Sequence, residues 1–217
     1  MNLKGAIFDF NGTLFWDSYL HNEAWDIFLE RYGITLSDHE KNIKIHGKNN
    51  QDILNTVFNR LLPGSLIEEY ITEKEGIYQT LCLQSDIQLA PGATEFLDFL
   101  SGNSISFTIA TASGIENVNF YFQHYGLSRY FDQSKVIYND GIIPGKPHPG
   151  IFQKAMDVLK VTGIETLVFE DSVAGILSAE QAGAGKIIIV DSRGEDHSRW
   201  NYQIIKDFSE VNRNLFI

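Results

Sequence analysis

Residues 4–14 read KGAIFDFNGTL, and this stretch decides the fold. The run from Lys4 to Phe10 is short and largely apolar, which is typical of a strand buried on both faces. Asp9 places a carboxylate where that strand ends, and Gly12 allows the backbone to turn tightly just after it. The stretch therefore predicts an α/β fold with an acidic group at the carboxyl edge of its sheet.

Further apolar runs indicate more strands. They lie at residues 105–112, 166–169 and 186–190, with a weaker fifth at 136–138. Helical patterns occupy residues 115–125, 149–160 and 173–182, and each is followed within a few residues by a glycine. Strands that alternate with helices predict a Rossmann-like parallel sheet covered on both faces.

The segment from residue 16 to residue 85 has a different pattern, because it contains amphipathic helical segments and no convincing strand. It predicts a helical domain inserted between the first and second strands. We therefore expect residues 1–15 plus 86–217 to form the α/β core domain and residues 16–85 to form the helical domain. Pro91 and Gly92 lie in the second of the two crossings between them, which predicts a hinge.

Composition limits the partners and the compartment. The chain has 217 residues and 28 acidic against 17 basic side chains, and its net charge of -11 argues against binding to nucleic acid or to anionic membranes. Cys82 is the single cysteine, and no apolar stretch approaches the roughly 20 residues that cross a bilayer. We expect a cytoplasmic protein that acts on a small molecule, and the sequence leaves its oligomeric state open.

Polar residues follow the other strands as well. Thr111 lies in IATAS, where Ser113 and Glu116 have the spacing of a capping box that opens a helix. A helix amino terminus binds phosphate readily, although this segment alone is equally compatible with ordinary capping and packing. Lys146 lies in GKPHP, where two prolines stiffen the loop and allow it to place an ammonium group accurately.

Glu170 and Asp171 directly follow a predicted buried strand. Ligands of open parallel sheets bind beyond the carboxyl ends of the strands, so we expect this pair to meet Asp9 there. Three neighbouring carboxylates repel one another unless a cation or protons are present. Mg²⁺ prefers oxygen ligands of this kind, so the set predicts a magnesium site.

Four motifs occur in order along the chain: DFNGTL, IATAS, GKPHPGIF and FEDSVAGILSAEQAGA. Together they resemble the haloacid dehalogenase-like hydrolase superfamily, in particular its β-phosphoglucomutase-like and phosphatase branch with a helical cap. The resemblance spans essentially the whole chain. It implies a Mg²⁺-dependent enzyme that acts on a small phosphorylated metabolite, with residues 16–85 as the mobile cap.

The resemblance also implies roles for individual residues. Asp9 is expected to attack phosphorus and form an aspartyl-phosphate, while Thr111 and Lys146 hold the transferring group. The implied metal ligands are Asp9, Glu170, Asp171 and the backbone carbonyl of Asn11. The implied substrate- or phosphate-binding residues are Gly12, His21, Gly47, Lys48, Thr111, Ala112, Ser113 and Lys146.

Asn11 departs from the family pattern, in which a second aspartate at this position serves as general acid and base. An amide cannot exchange a proton at the reacting group, and general acid–base catalysis contributes about 10² to 10⁴ in rate. We therefore expect a slow phosphatase that favours acidic leaving groups. His21 follows the first motif and is either a partial substitute for the missing acid or an ordinary polar residue on a cap helix.

Three other functions stay open at this point. A β-phosphoglucomutase-like activity needs the acid that Asn11 lacks. Phosphonate hydrolysis would use Lys48 for a Schiff base, because family members with that chemistry carry a cap lysine and lack the second aspartate. A protein that binds a phosphorylated ligand without turnover is the third alternative.

Overall fold

The computed structural model describes residues 3–216, and this part of the chain contains one five-stranded sheet. The strands are β1 (Gly5–Phe8), β2 (Ser106–Ile109), β3 (Thr166–Glu170), β4 (Lys186–Val190) and β5 (Gln203–Ile205). Their order across the sheet is β2-β1-β3-β4-β5, and every neighbouring pair is parallel. The predicted parallel α/β fold is therefore confirmed.

The helices lie before, between and after these strands. They are α1 (Ser18–Glu30), α2 (Asp38–Lys44), α3 (Asn50–Val57), α4 (Gly64–Gln84), α5 (Ala93–Gly102), α6 (Ile115–His124), α7 (Gly150–Leu159) and α8 (Val173–Gln181). No helix within residues 3–216 has the length and apolarity that a membrane span requires.

The sheet is buried on both faces, as the apolar strands require. All four residues of β1 are buried, and their side chains alternate between two apolar clusters. Phe8 faces the larger cluster, where its ring stacks on that of Phe169 with the centroids 4.8 Å apart. Ile7 faces the other cluster, together with Val168 and Phe152. The central strands are thus fixed from both sides.

Helices α1 to α4, which we call the helical block, have an apolar cluster of their own. Its fully buried members include Trp25, Phe28 and Leu54, contributed by α1 and α3. The two chain segments that connect the block to the sheet pair with each other. The N–H of Ala90 donates to the carbonyl of Leu14 over 2.9 Å, and one further bridge joins Phe15 to Leu89.

The weaker strand predicted at residues 136–138 is wrong. Ile137 makes a single bridge, to Ala110, because only its own N–H and C=O bond to the chain around β2. The N–H of Asn139 then donates to the carbonyl of Ser113 over 2.9 Å, so the chain has already left the direction of the sheet. The fifth strand is Gln203–Ile205, which pairs with β4 instead.

Candidate active site

The carboxyl ends of β1, β2 and β3 bring the predicted polar residues to one edge of the sheet. Asp9 directly follows β1, and its N–H donates to the carbonyl of Phe169 in β3 over 3.0 Å. Thr111 follows β2 by two residues and is also hydrogen-bonded through its backbone, to Ile137 over 2.9 Å. The backbone pairing of the central strands therefore determines the positions of the Cα atoms of Asp9 and Thr111.

Lys146 forms ion pairs with two carboxylates at this edge. Its Nζ lies 2.5 Å from Asp9 Oδ1 and 2.5 Å from Glu170 Oε1, and all three side chains are buried. Burial acts to lower the pKa of Lys146, but the two carboxylates outweigh it and raise that pKa above its usual value. Burial raises the pKa of Asp9 well above its ordinary value, with Lys146 opposing the shift and Glu170 adding to it. Lys146 thus favours the ionised form of Asp9.

Asp9, Glu170 and Asp171 form the acidic cluster that the sequence predicts. One carboxylate oxygen from each lies within 4.8 Å of the others. The second oxygen of Glu170 accepts from the backbone N–H groups of Asp171 and Ser172, each over 2.9 Å. A set of hard oxygen donors with no histidine or cysteine fits Mg²⁺ better than a softer metal.

Arg193 is a part of this cluster that the sequence did not predict. Its guanidinium donates to Asp171 over 2.5 Å and to Ser18 at the start of α1 over 3.2 Å, so it connects the acidic cluster to the helical block. Burial raises the pKa of Asp171 to about 6, with Arg193 opposing the shift. Arg193 lies in the acidic loop DSRGED after β4, which resembles a solvated surface turn. Its position beyond the end of a strand was the available signal.

A cavity of about 70 Å³, which we call the inner cavity, lies between the sheet edge and the helical block. The predicted site residues that line it are Asp9, Asn11, His21, Gly47, Lys48, Thr111, Ala112, Ser113 and Asp171. Lys146, Glu170 and Gly12 lie outside its lining. Gly12 has a φ of 81°, and a Cβ there would lie 2.3 Å from a carboxylate oxygen of Asp171, so only glycine fits this position.

The geometry and the sequence agree with one family. Residues 3–183 match the haloacid dehalogenase-like hydrolases. The chain belongs to this family. A protein of Drosophila melanogaster named as a probable pseudouridine-5'-phosphatase is 31% identical over 87% of this chain and 82% of its own length. A phosphorylated carbohydrates phosphatase of Thermotoga maritima is 26% identical over 85% of this chain and 84% of its own.

The solved structures agree with this assignment. A haloacid dehalogenase-like hydrolase of family IA, variant 3, from Entamoeba histolytica has a TM-score of 0.88 and 34% identity, and the match covers 100% of this chain and 98% of that one. The predicted membership of the superfamily and of its phosphatase branch is therefore confirmed, and the chain is a hydrolase.

Asn11 of this hydrolase is held by partners on both ends of its amide. The Nδ2 group donates to Asp17 over 2.6 Å and to the hydroxyl of Tyr121 over 2.8 Å. The Oδ1 atom accepts from Ser113 over 2.8 Å and from Thr111 over 3.4 Å. These partners define the orientation of the amide, with its oxygen toward the predicted phosphate-binding hydroxyls.

Asp17 is a second residue that the sequence did not single out. Its side chain is fully buried, and it accepts from Asn11, from the hydroxyl of Tyr78 and from the N–H of Gly12 over 3.1 Å. Burial and the Asp17 charge raise the pKa of Tyr78 well above its ordinary value. The signal was an aspartate directly before α1, a position that normally indicates a helix cap. Here the side chain makes no cap bond to its helix.

The capping box predicted from Ser113 and Glu116 is wrong. Helix α6 begins at Ile115 after Gly114, and no side chain caps it. The hydroxyl of Ser113 donates to Asn11 over 2.8 Å instead. The amide oxygen of the half-buried Asn11 thus accepts from the hydroxyl that the local sequence pattern assigned to the helix.

His21 has both ring nitrogens in contact with charged residues. Nε2 lies 3.4 Å from Asp17, Nδ1 lies 2.9 Å from Nζ of Lys74, and the ring stacks on Tyr78. Lys74 was not predicted from the sequence, although it is buried and lines the inner cavity. Lys74 lies within a long amphipathic helix, where a lysine is usually solvated, so the sequence gave no sign that its ammonium group faces inward.

Proposed function

We propose that the chain is a Mg²⁺-dependent phosphatase that hydrolyses a small phosphorylated metabolite through an aspartyl-phosphate on Asp9. The observation that carries the proposal is the inner cavity, which Asp9 lines together with the hydroxyls of Thr111 and Ser113. The two relatives described above are named as phosphatases of a phosphorylated nucleoside and of phosphorylated carbohydrates. They support this class of substrate and do not favour a mutase, a phosphonate hydrolase or a non-catalytic binder.

The acidic cluster supports the choice of metal. Asp9, Glu170 and Asp171 would hold Mg²⁺, with the backbone carbonyl of Asn11 as a further ligand. The bound ion supplies positive charge that lowers the repulsion between a carboxylate nucleophile and a phosphate dianion. Lys146 also supplies positive charge, because its ammonium group contacts a carboxylate oxygen of Asp9.

The reaction then proceeds in two displacements at phosphorus. A carboxylate oxygen of Asp9 forms a bond to phosphorus while the bond to the leaving alcohol breaks, which leaves an acyl phosphate on Asp9. Water next attacks the same phosphorus, the bond to Asp9 breaks, and inorganic phosphate and the free carboxylate are released. The hydroxyls of Thr111 and Ser113, which donate to Asn11 in this structure, would turn to donate to the phosphoryl oxygens in both steps.

Asn11 determines which step is slow. Its amide is fixed by Asp17 and Ser113 and has no proton to give to the leaving alcohol or to take from the attacking water. Substrates with acidic leaving groups need little help in the first step. The second step keeps its need for a base, so we expect the aspartyl-phosphate to accumulate.

The helical block is proposed to act as the cap, with residues 16–85 as cap domain and residues 1–15 plus 86–217 as core domain. Its residues Lys48, Lys74 and His21 line the inner cavity opposite Asp9. Closure of such a block excludes bulk water from the reacting groups.

The test is hydrolysis of p-nitrophenyl phosphate with and without Mg²⁺. We expect turnover only with the metal, a burst of nitrophenol equal to the enzyme concentration, and a mass increase of one phosphoryl group located to Asp9. Asp9→Asn should lower kcat by about 10³-fold or more, whereas Asp98→Asn, an exposed aspartate on α5 paired with Arg129, should retain it. Phosphorylation absent from Asp9 during turnover would exclude the proposed mechanism.

A further inference from the structure

The inner cavity is too small for a whole metabolite. Its volume is about 70 Å³, whereas an engineered protein cavity that binds benzene has about 150 Å³. It therefore holds the phosphoryl group beside Asp9 and little more. The leaving group of any sugar or nucleoside phosphate must lie elsewhere.

A second and larger space adjoins it. This outer cleft has a volume of about 750 Å³ and lies between α4, the start of α6 and the loop at residues 138–141. Asn50 and Glu75 line both spaces, so they form the wall between them. A substrate whose phosphate lies beside Asp9 reaches the outer cleft through this wall.

The wall is made of side-chain hydrogen bonds that can open without moving the backbone. The carboxylate of Glu75 accepts from Asn50 over 2.6 Å and from Asn117 over 2.8 Å. It also pairs with Lys74 over 3.1 Å. Rotation of Glu75 and Asn50 therefore connects the two spaces.

The outer cleft is acidic. Glu68, Glu75, Glu116 and Asp140 line it, and its lining within residues 3–216 contains no lysine or arginine. Glu75 pairs with Lys74, and Asp140 pairs with Lys154 just outside the cleft over 3.1 Å. Glu68 and Glu116 have no salt-bridge partner in the described part of the chain. The cleft therefore carries unbalanced negative charge.

The two spaces differ in charge on the side of the helical block. The inner cavity has Lys48 in addition to the ion pair of Lys74 with Glu75. The outer cleft combines carboxylates with the apolar surfaces of Ile71, Ile115 and Tyr138. A ring can pack on such surfaces, and a cation on that ring would meet the carboxylates. A second phosphate or a carboxylate on the leaving group would be repelled.

We propose that the outer cleft is the leaving-group subsite and that it selects phosphate monoesters of cyclic alcohols bearing a protonated amine, while rejecting those with a second anionic group. The inference rests on the proposed function, because it assigns a substrate class to the same catalytic centre. Glu68 and Glu116 are the specificity-determining residues.

The test compares kcat/KM for phosphate esters that share one ring. We expect glucosamine 6-phosphate to exceed both glucose 6-phosphate and N-acetylglucosamine 6-phosphate by about 1.5-fold to fivefold, the range expected for an exposed ion pair. Glucose 1,6-bisphosphate should be poorer than all three. High salt should reduce these ratios, because the carboxylates are solvent-exposed.

A charge-neutral variant locates the effect. In Glu68→Gln/Glu116→Gln the preference for glucosamine 6-phosphate over its N-acetyl analogue should fall close to one. Glu23→Gln/Glu30→Gln has the same net charge but alters exposed residues of α1 outside both spaces, so it should keep the wild-type ratio. Circular dichroism checks that both variants fold.

The outcomes separate this inference from the proposed function. Absence of Asp9-dependent turnover of p-nitrophenyl phosphate would overturn the proposed function itself. Three results would overturn the leaving-group subsite alone, provided that turnover is observed. They are a preference for the bisphosphate, kcat/KM ratios that do not respond to salt, and equal kcat/KM ratios in the two double variants.

Discussion

At the scale of single residues, Asn11 and Asp17 form a hydrogen-bonded pair close to Asp9, the proposed nucleophile. Asp17 Oδ2 lies 2.6 Å from the amide nitrogen of Asn11. A carboxylate in place of that amide would face Asp17 at a similar distance. Two carboxylates so close cannot both ionise easily, so one of them would hold a proton.

Asn11→Asp should therefore create a general acid. We expect the single-turnover rate of aspartyl-phosphate formation to rise by about tenfold to a hundredfold with alkyl phosphates and much less with aryl phosphates, because only poor leaving groups need protonation. The double variant Asn11→Asp/Asp17→Asn, which removes the like-charge neighbour, should shift the alkaline limb of the pH profile to lower pH, because the acid then loses its proton at lower pH. Single-turnover pH profiles with both ester types measure this, and equal gains on both types would contradict it. Intact mass must exclude deamidation at Asn11-Gly12.

Asp171 makes a pH-dependent contribution to the stability of the metal-free protein. Its pKa in the folded chain is about 6, above its ordinary value of 3.8, chiefly because of burial. A raised folded pKa stabilises the protein below pH ~4, and this stabilisation is lost as the pH rises through about 6. The loss amounts to at most about 3 kcal/mol for a shift of this size.

Asp171→Asn should remove that dependence. In the presence of a chelator, the Tm of the variant should exceed that of the wild type at pH 7, and the difference should shrink toward pH 4. Asp140→Asn is the matched control, since backbone N–H groups of Ile143 and Ile142 lower the pKa of Asp140 to about 2 and its contribution has the opposite sign. A Tm difference for Asp171→Asn that is constant with pH would refute the burial argument.

The sequence predicted the chemical groups of the site better than their contacts. Asp9, Thr111, Glu170 and Asp171 lie at the end of a strand or within two residues of it, so the strand pattern alone placed them at one edge. Asp17, Lys74 and Arg193 were not predicted, because their roles depend on side chains that approach from distant elements. Ser113 was assigned to a helix cap for the same reason. Capping rules consider only the neighbouring backbone, whereas the amide oxygen of Asn11 that accepts from Ser113 lies far away in the sequence.

At the scale of elements, helix α8 determines the position of Glu170. A Cβ added to Gly175 in its first turn would lie 1.7 Å from Glu170 Oε1, the oxygen that accepts from Lys146. The helix can approach the strand end so closely only with glycine there. The position of the Lys146 ammonium group thus depends on the packing of a helix that does not line the inner cavity.

Gly175→Ala should displace Glu170 even though alanine favours helix by about 1 kcal/mol. The clash should cost about 1–3 kcal/mol and outweigh that gain, and Mg²⁺ affinity should fall. Urea unfolding and calorimetric metal titration measure the two effects. Gly76→Ala in α4 is the control, because a Cβ there meets nothing within 4 Å, and it should stabilise the protein slightly. Unchanged metal affinity in Gly175→Ala would show that Glu170 is not positioned by α8.

Strand prediction succeeded where burial on both faces produced an unbroken apolar run. The predicted strand at 186–190 matches β4 residue for residue, whereas Gln203–Ile205 is a short edge strand with a half-buried glutamine and was missed. Residues 136–138 are apolar because Val136 and Ile137 are buried beside β2, without a continuous ladder. Hydrophobicity reports burial, and pairing partners decide which buried segments become strands.

At the scale of the whole molecule, the proposed cap role of the helical block requires that the block move during turnover. The inner cavity lies between block and sheet, and side chains connect the two sides. Asn117 of α6 accepts from Gln79 over 2.9 Å and donates to Glu75, both on α4. Arg193 reaches Ser18. Solvent can replace these polar contacts when the block opens. Helices α1 and α4 also contribute buried side chains to the larger apolar cluster of the core, and opening must expose part of that surface.

The sequence predicts a separate helical domain from one feature, the absence of strands over residues 16–85. It could not predict the contacts of that segment with the core, because they join residues far apart in the chain, such as Gln79 and Asn117. The hinge prediction rested on Pro91 and Gly92. The backbone hydrogen bond from Ala90 to Leu14 links the two crossings, so we expect them to bend together.

Hydrogen exchange tests the motion of the block. Mg²⁺ with orthovanadate, which occupies a phosphoryl site, should favour the closed arrangement and slow exchange in the crossing segments 15–18 and 84–92 and in the first turn of α6. The physical reason is that opening bends the crossing segments and uncovers the first turn of α6, which Gln79 and Glu75 of α4 contact through the side chain of Asn117. Vanadate with a chelator is the control and should leave exchange unchanged. Protection confined to the sheet edge around Asp9, with the crossing segments unaffected, would show that ligands bind without closure of the block.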